Sequence, residues 1–186
     1  MLININDIKN GMTVIIDGKL CVIVEFQHVK PGKGSPFVKI KLKNLRTGSI
    51  TVETFNTNIK IEKAHVEKSK SQFLYMDGDK YVFMNNETYD QMELSKDTLG
   101  DNVKYLKEGL DIQIAMYEGE IIGIDLPEKI EYQVSSTEPA VKGNTTSSAM
   151  KDATLENGLV VKVPLFINDG ETIVISTIDA SYCGRA

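Results

Sequence analysis

Residues 30–46 read Lys-Pro-Gly-Lys-Gly-Ser-Pro-Phe-Val-Lys-Ile-Lys-Leu-Lys-Asn-Leu-Arg, six cations with no acid among them. From Val38 to Lys43 apolar and cationic residues alternate. Successive side chains of a strand point to opposite faces, so Val38, Ile40 and Leu42 are expected inside while Lys39, Lys41 and Lys43 line the outer face. The same period of two runs through Ile50-Val52-Thr54, Ile112-Ile114-Met116 and Ile173-Ile175-Thr177, with almost no helical periodicity. The chain therefore reads as all-β. Asp17-Gly18, Asp77-Gly78, Glu118-Gly119, Asn157-Gly158 and Asp169-Gly170 punctuate the runs, as hairpins joining antiparallel neighbours require. The exception spans Asp97 to Lys107, where Leu99, Val103 and Leu106 fall at i, i+4, i+7 and Asp97 stands ready to cap; one short helix is expected there.

With 186 residues, 41% hydrophobic and 25% charged, the chain can bury a core. Its longest apolar run, Leu20 to Val24, falls far short of the ~20 residues of a membrane helix. Asp7 and Lys9 stand where a signal peptide needs apolar residues, so the expectation is a cytoplasmic protein with no membrane partner. Cys21 and Cys183 give neither a disulfide framework nor a CxxC metal knuckle.

A net charge of −5 argues against nucleic acid, but the average hides a partition. Residues 1–64 carry ten Lys/Arg against five Asp/Glu, residues 65–127 six against thirteen, and residues 128–186 five against eight. Contact with a polyanion is thus expected at the N-terminal end. This shift, the polar stretch Ser135 to Asp152, and the Asp-Leu-Pro sequence ending at Pro127 favour three barrels of about 60 residues over one β-sandwich. The expected domains are residues 1–64, 65–127 and 128–186.

Within the basic stretch, Pro31-Gly32-Lys33-Gly34-Ser35-Pro36 sets one long cationic side chain between two glycines, with prolines fixing φ on both flanks. Lys33 is expected at an exposed hairpin tip, free to enter a narrow site at little entropic cost. A Walker phosphate loop does not fit, because Gly34 follows the lysine in place of Ser/Thr and Pro36 opposes an immediate helix. The plain alternative for Lys39, Lys41 and Lys43 is a solvated strand face that discourages edge pairing.

The stretch from Val29 to Leu42 resembles the N-terminal hairpin of bacterial translation elongation factor P. Phe83-Met-Asn-Asn-Glu-Thr-Tyr-Asp-Gln and Ala153-Thr-Leu-Glu-Asn-Gly-Leu-Val-Val-Lys-Val-Pro-Leu-Phe resemble that family's later patterns, in order. The resemblance spans essentially the whole chain. It implies an SH3-like barrel followed by two OB-fold barrels in a tRNA-mimicking, monomeric protein. Such a protein binds the ribosome between the P and E sites, beside peptidyl-tRNA, and relieves stalling at consecutive prolines. Lys33 matches the family's modified lysine, with Pro31, Gly32, Gly34 and Ser35 as the loop that presents it. The Pro-Gly-Lys-Gly tip resembles the version to which an enzyme similar to lysyl-tRNA synthetase attaches β-lysine, sometimes followed by hydroxylation.

On the same resemblance, Lys30, Lys39, Lys41, Lys43 and Arg46 meet tRNA and rRNA phosphates. Glu138-Pro-Ala-Val-Lys-Gly-Asn-Thr matches a loop that approaches mRNA in the E site, which assigns Gly143, Asn144 and Thr145, although Ala140 stands where the family usually has glycine. Near the C-terminus, Tyr182 and Arg185 match a small-subunit contact, while Ser176-Thr177-Ile178 lacks the acid and base of the family's Asp-Thr-Arg element.

His28 and His65 are the only histidines, so no three-His metal site exists and no Cys/His pair is indicated. No catalytic constellation and no cofactor site is read, and the chain is not expected to be an enzyme. The acids of residues 65–127 read as a solvated face, Asn86-Glu-Thr and Asn144-Thr-Thr as turns, and Tyr89 and Tyr105 as core or rim aromatics. The competing functional class is a single-strand nucleic-acid chaperone, which needs aromatics interleaved with its cations. Only Phe37 fills that role.

Overall fold

The computed structural model describes residues 1–140 and 149–186, and among these it contains three antiparallel-based sheets that follow one another along the chain. The first comprises β1 (Leu2–Asn4), β2 (Thr13–Ile16), β3 (Lys19–Val29), β4 (Phe37–Asn44), β5 (Ile50–Asn56) and β6 (Lys60–Lys63), in the order β1-β6-β2-β3-β4-β5. Asp17 and Gly18 join β2 to β3 with φ of 51° and 73°. Two positive φ angles in a two-residue loop match the twist of the strands it joins. The alternation of β4 is as its sequence reads: Val38, Ile40 and Leu42 are at most 1% exposed and join a core with Ile5, Val14 and Ile23.

The second sheet comprises β7 (Glu67–Asp77), β8 (Lys80–Asn85), β9 (Gln91–Ser95), β10 (Asp111–Tyr117) and β11 (Glu120–Asp125), in the order β11-β10-β7-β8-β9. The one α-helix among the described residues, α1 (Lys96–Leu99), follows β9, but it is shorter than the period predicts. Ser95, not Asp97, caps it by accepting from the Thr98 amide. Gly100 then takes φ 58°, which ends the α-turn, and Gly100–Tyr105 continues as a 3-10 helix that buries Tyr105.

The third sheet comprises β12 (Lys129–Thr137), β13 (Met150–Leu155), β14 (Val160–Pro164), β15 (Thr172–Ser176) and β16 (Tyr182–Arg185), in the order β14-β13-β12-β15-β16. Ile130, Tyr132 and Val134 of β12 face a core shared with Leu155, Val163 and Ile173. The architecture is the all-β one expected, a curled N-terminal barrel followed by OB-like domains.

The chain divides into two compact units, Met1–Lys68 with Ala115–Gly123, and Ser69–Ile114 with Ile124–Ala186. Inside the second unit the 3-10 segment is bonded to the third sheet. The Tyr132 hydroxyl donates to the Tyr105 carbonyl, and the Asn157 amide donates to the Lys104 and Leu106 carbonyls at 2.9 and 3.1 Å. Lys107 donates to the Glu131 carbonyl and pairs with Glu156 at 3.4 Å.

Candidate functional site

The hairpin of β3 and β4 is built for presentation. Its last ladder pair is Val29 with Phe37, which leaves residues 30–36 as the connecting loop with Lys33 at the middle. Gly32 through Pro36 are all exposed. The two glycines beside Lys33 are not equivalent. Gly34 has φ 102°, which an L side chain rarely adopts, although an added Cβ would only touch Pro31 Cγ at 3.9 Å. Gly32 has an ordinary φ and open space around it, so the fold of the free protein makes no demand for glycine there.

A bulge at Val24, between the pairs Ile23 with Leu42 and Glu25 with Lys41, adds one residue to β3. Beyond it Phe26 pairs with Ile40 and His28 with Val38, and their rings meet edge to face at 5.6 Å. On the opposite face Lys39 lies between Gln27 and Thr54, Lys41 between Glu25 and Val52, and Lys43 between Val22 and Ile50. Lys39 and Lys43 are exposed and Lys41 is half-buried. A shallow groove of about 480 Å³ runs here, lined by Glu25, Phe26, Gln27, Lys39, Lys41 and Val52. Among the described residues no carboxylate lies within 4 Å of Lys30, Lys33, Lys39, Lys41 or Lys43, so these charges are not neutralised by ion pairs.

Arg46 is set differently. It sits in the β4–β5 turn, where the Asn44 side chain accepts from the Arg46 and Thr47 amides at 2.9 and 3.2 Å. Its guanidinium pairs with Glu120 at 3.2 Å, and both side chains are more than half exposed. Such a bridge is worth at most about 1 kcal/mol and yields readily to a better anion. The turn lies at the end of β4 away from Lys33, so Arg46 belongs to the same basic strand but not to its tip.

Gly143, Asn144 and Thr145 lie outside the described residues. Tyr182 is half-buried in β16 and pairs with Ile175. Arg185 is engaged within its own domain: its guanidinium meets Glu171 at 3.3 Å, the Phe166 carbonyl at 3.4 Å and the Phe166 ring at 4.7 Å. Where the acid-and-base element is missing, Ser176 accepts from the Ile178 amide and Asp179 accepts from the Ser181 hydroxyl at 2.6 Å. The Ser181 bonds hold the Asp179 carboxyl below its ordinary range.

Two features escaped the sequence reading. Tyr89, expected in the core or at its rim, is 71% exposed with φ 61°. The cause is the turn, in which Asn85 Oδ1 accepts from the Glu87 and Thr88 amides at 2.8 and 3.1 Å and forces residue 89 into the left-handed region. Lys151 is 6% exposed on the core face of β13. Its parity with Ala153 and Leu155 was the signal available. Cys21 and Cys183 are free, and among the described residues no three His, Cys, Asp or Glu side chains are grouped as a metal centre would need.

Comparison with known proteins covers the chain in three consecutive matches. Residues 4–61 match the family described as the elongation factor P (EF-P) KOW-like domain, residues 66–124 the elongation factor P (EF-P) OB domain, and residues 130–185 the elongation factor P C-terminal domain. Among solved structures, the chain is similar to eukaryotic translation initiation factor 5A from Methanococcus jannaschii. The identity is 26% and the TM-score 0.52, over 65% of this chain and 91% of that one. It is also similar to a translation initiation factor eIF-5A family protein from Naegleria fowleri, at 21% identity and TM-score 0.48, over 68% and 98% of the two chains.

Proposed function

The chain belongs to the elongation factor P family of translation elongation factors, and from that premise we propose that it binds the ribosome between the P and E sites and stimulates peptide-bond formation at consecutive prolines, with Lys33 as its effector. The observation that carries this reading is the lysine at the apex of an exposed, proline-flanked loop, followed along one strand by an unneutralised row of cations.

Proline is a poor nucleophile whose ring misplaces the growing chain. A group that orders the end of the peptidyl-tRNA restores alignment, and alignment of reacting groups can account for several kcal/mol of barrier. The protein supplies positioning, and the chemistry stays with the ribosomal RNA, so the chain is not itself an enzyme. Lys30, Lys39, Lys41, Lys43 and, once released from Glu120, Arg46 meet tRNA and rRNA phosphates by salt-sensitive contacts.

An enzyme similar to lysyl-tRNA synthetase joins β-lysine to the Lys33 ε-amine, and hydroxylation follows in some relatives. The added arm lengthens the reach by several bonds while keeping a terminal cation able to donate charge-assisted hydrogen bonds. Gly143, Asn144 and Thr145 approach the mRNA in the E site, and Tyr182 and Arg185 the small subunit. The protein acts as a monomer in the cytoplasm and mimics tRNA, and its domains are residues 1–64, 65–127 and 128–186. The test is reconstituted translation of a template encoding consecutive prolines, with protein from its native host: release of the stall is expected, and no effect of the fully modified protein on stalling overturns the reading.

A further inference from the structure

The sequence contains two Asn-Gly pairs, Asn10-Gly11 and Asn157-Gly158. Asparagine followed by glycine is prone to deamidation, because glycine has no side chain to hinder its backbone nitrogen from reaching the asparagine carboxamide. In both pairs the glycine is exposed, with φ of 85° and 87°. Both glycines also donate to a backbone carbonyl, Gly11 to Ile23 at 2.8 Å and Gly158 to Leu155 at 2.9 Å. The backbones are thus alike, and the difference lies in the asparagine side chains.

Asn10 is exposed, and its carboxamide makes no hydrogen bond among the described residues. Asn157 is half-buried in the β13–β14 turn and engaged at both ends of its carboxamide. Nδ2 donates to the Lys104 and Leu106 carbonyls at 2.9 and 3.1 Å, while Oδ1 accepts from the Leu159 amide at 3.2 Å. Turning the carboxamide over would set its oxygen against two carbonyl oxygens, so these partners fix its orientation. The two donated bonds are part of the joint that ties the third sheet to the end of the 3-10 segment, together with the Tyr132 hydroxyl and the Lys107 ammonium.

We propose that Asn157 is a deamidation site held closed by the joint it makes, and that its deamidation keeps the joint from closing again. In the reaction the Gly158 nitrogen bonds to Asn157 Cγ, the Cγ–Nδ2 bond breaks, and Nδ2 leaves as ammonia with the Gly158 amide proton. Water then opens the cyclic imide to aspartate or isoaspartate, with no change of oxidation state. While the joint is closed, two acceptors hold Nδ2 and Leu155 holds the Gly158 proton, so ring closure requires local opening. Afterwards a carboxylate stands where the donor was. It keeps the Leu159 bond, but its second oxygen faces two carbonyl oxygens with nothing to donate. The nearby cations are occupied: Lys107 pairs with Glu156 at 3.4 Å, and the Lys104 ammonium lies 5.1 Å from the centre of the Tyr105 ring. This inference stands on the geometry of the joint and not on the ribosomal reading.

The test is peptide mapping of the full chain aged in mildly alkaline buffer. Cleavage after lysine places the two pairs in separate peptides, residues 10–19 and 152–162, and each is scored for the mass gained when amide becomes acid. In the folded protein Asn157 is expected to react about tenfold or more slowly than Asn10, the factor that two hydrogen bonds of ordinary net strength allow. In concentrated urea the two are expected to react at similar rates. Asn157→Asp is expected to melt below the parent chain and to exchange its amides faster over residues 103–107. Asn157 reacting as fast as Asn10 in the folded chain, or remaining the slower of the two in urea, overturns the protection by the joint. An Asn157→Asp chain with the parent's melting temperature and amide exchange overturns the failure to reclose.

Discussion

The Tyr132 hydroxyl, fully buried on β12, donates to the backbone carbonyl of Tyr105 at the end of the 3-10 helix, so a side chain of the third sheet satisfies a main-chain acceptor beside the second. Burial, reinforced by the neighbouring Tyr105 and by Glu156, pushes the Tyr132 phenol far above its ordinary range. The neutral phenol is therefore favoured in the folded state. Its contribution is complete below about pH 10 and is lost above that as the unfolded chain ionises. Tyr132→Phe is expected to cost about 1–3 kcal/mol at neutral pH, by stranding the carbonyl. It should also flatten the alkaline fall in stability. Urea denaturation at a series of pH values reads both effects; an alkaline slope that survives the substitution would assign it to another group.

Lys33→Arg is expected to keep the fold and lose rescue of proline stalling, because a guanidinium does not offer the primary amine that modification needs. Full rescue by the variant expressed in a modifying host would exclude the modified-amine role. Intact mass of the native-host protein should exceed the sequence mass by one lysyl group, with or without one oxygen.

Replacing Lys39, Lys41 and Lys43 together by Gln is expected to leave the melting temperature nearly unchanged, since the three charges form no ion pair among the described residues. Ribosome affinity measured across a range of salt should lose up to about 0.7–0.9 of slope for each phosphate contact removed. An unchanged slope returns the lysines to a solvated face.

The loop glycines should separate. Gly34→Ala, at φ 102°, is expected to cost about 1–2 kcal/mol, and Gly32→Ala to be close to neutral. Thermal unfolding of the two variants distinguishes them. If Gly32→Ala nonetheless blocks modification or rescue, that glycine serves the approach of another molecule and not the fold.

Where two neighbouring levels of structure agreed, the sequence was legible. β4 shows this best, since alternation, strand propensity and burial all point the same way from Val38 to Lys43. The exposed place of Lys33 follows from prolines and glycines that act on the backbone locally. The helix misled because its apolar spacing was real while Gly100, a single residue able to take positive φ, decided where the turn ended. Tyr89 misled because its exposure comes from the side chain of Asn85, four residues earlier. Lys151 lay in view at the right parity, but lysine on a core face contradicts the pattern from which strands are read.

The Val24 bulge turns the β3–β4 hairpin into a jointed lever. Five residues, Glu25 to Val29, separate the bulge from the loop, an arm of about 17 Å at strand rise. A 10° change at the joint swings the far end by about 3 Å, whereas displacements of about 1 Å already matter for aligned reactants. Deleting Val24 would leave every later residue of β3 on its present face and opposite its present partner, while removing the bend and extra twist that a bulge introduces. The deletion variant should therefore fold with its core intact and its surface charges unmoved, yet release proline stalls poorly, because one inserted residue without a ladder partner on β4 sets the direction in which Lys33 points.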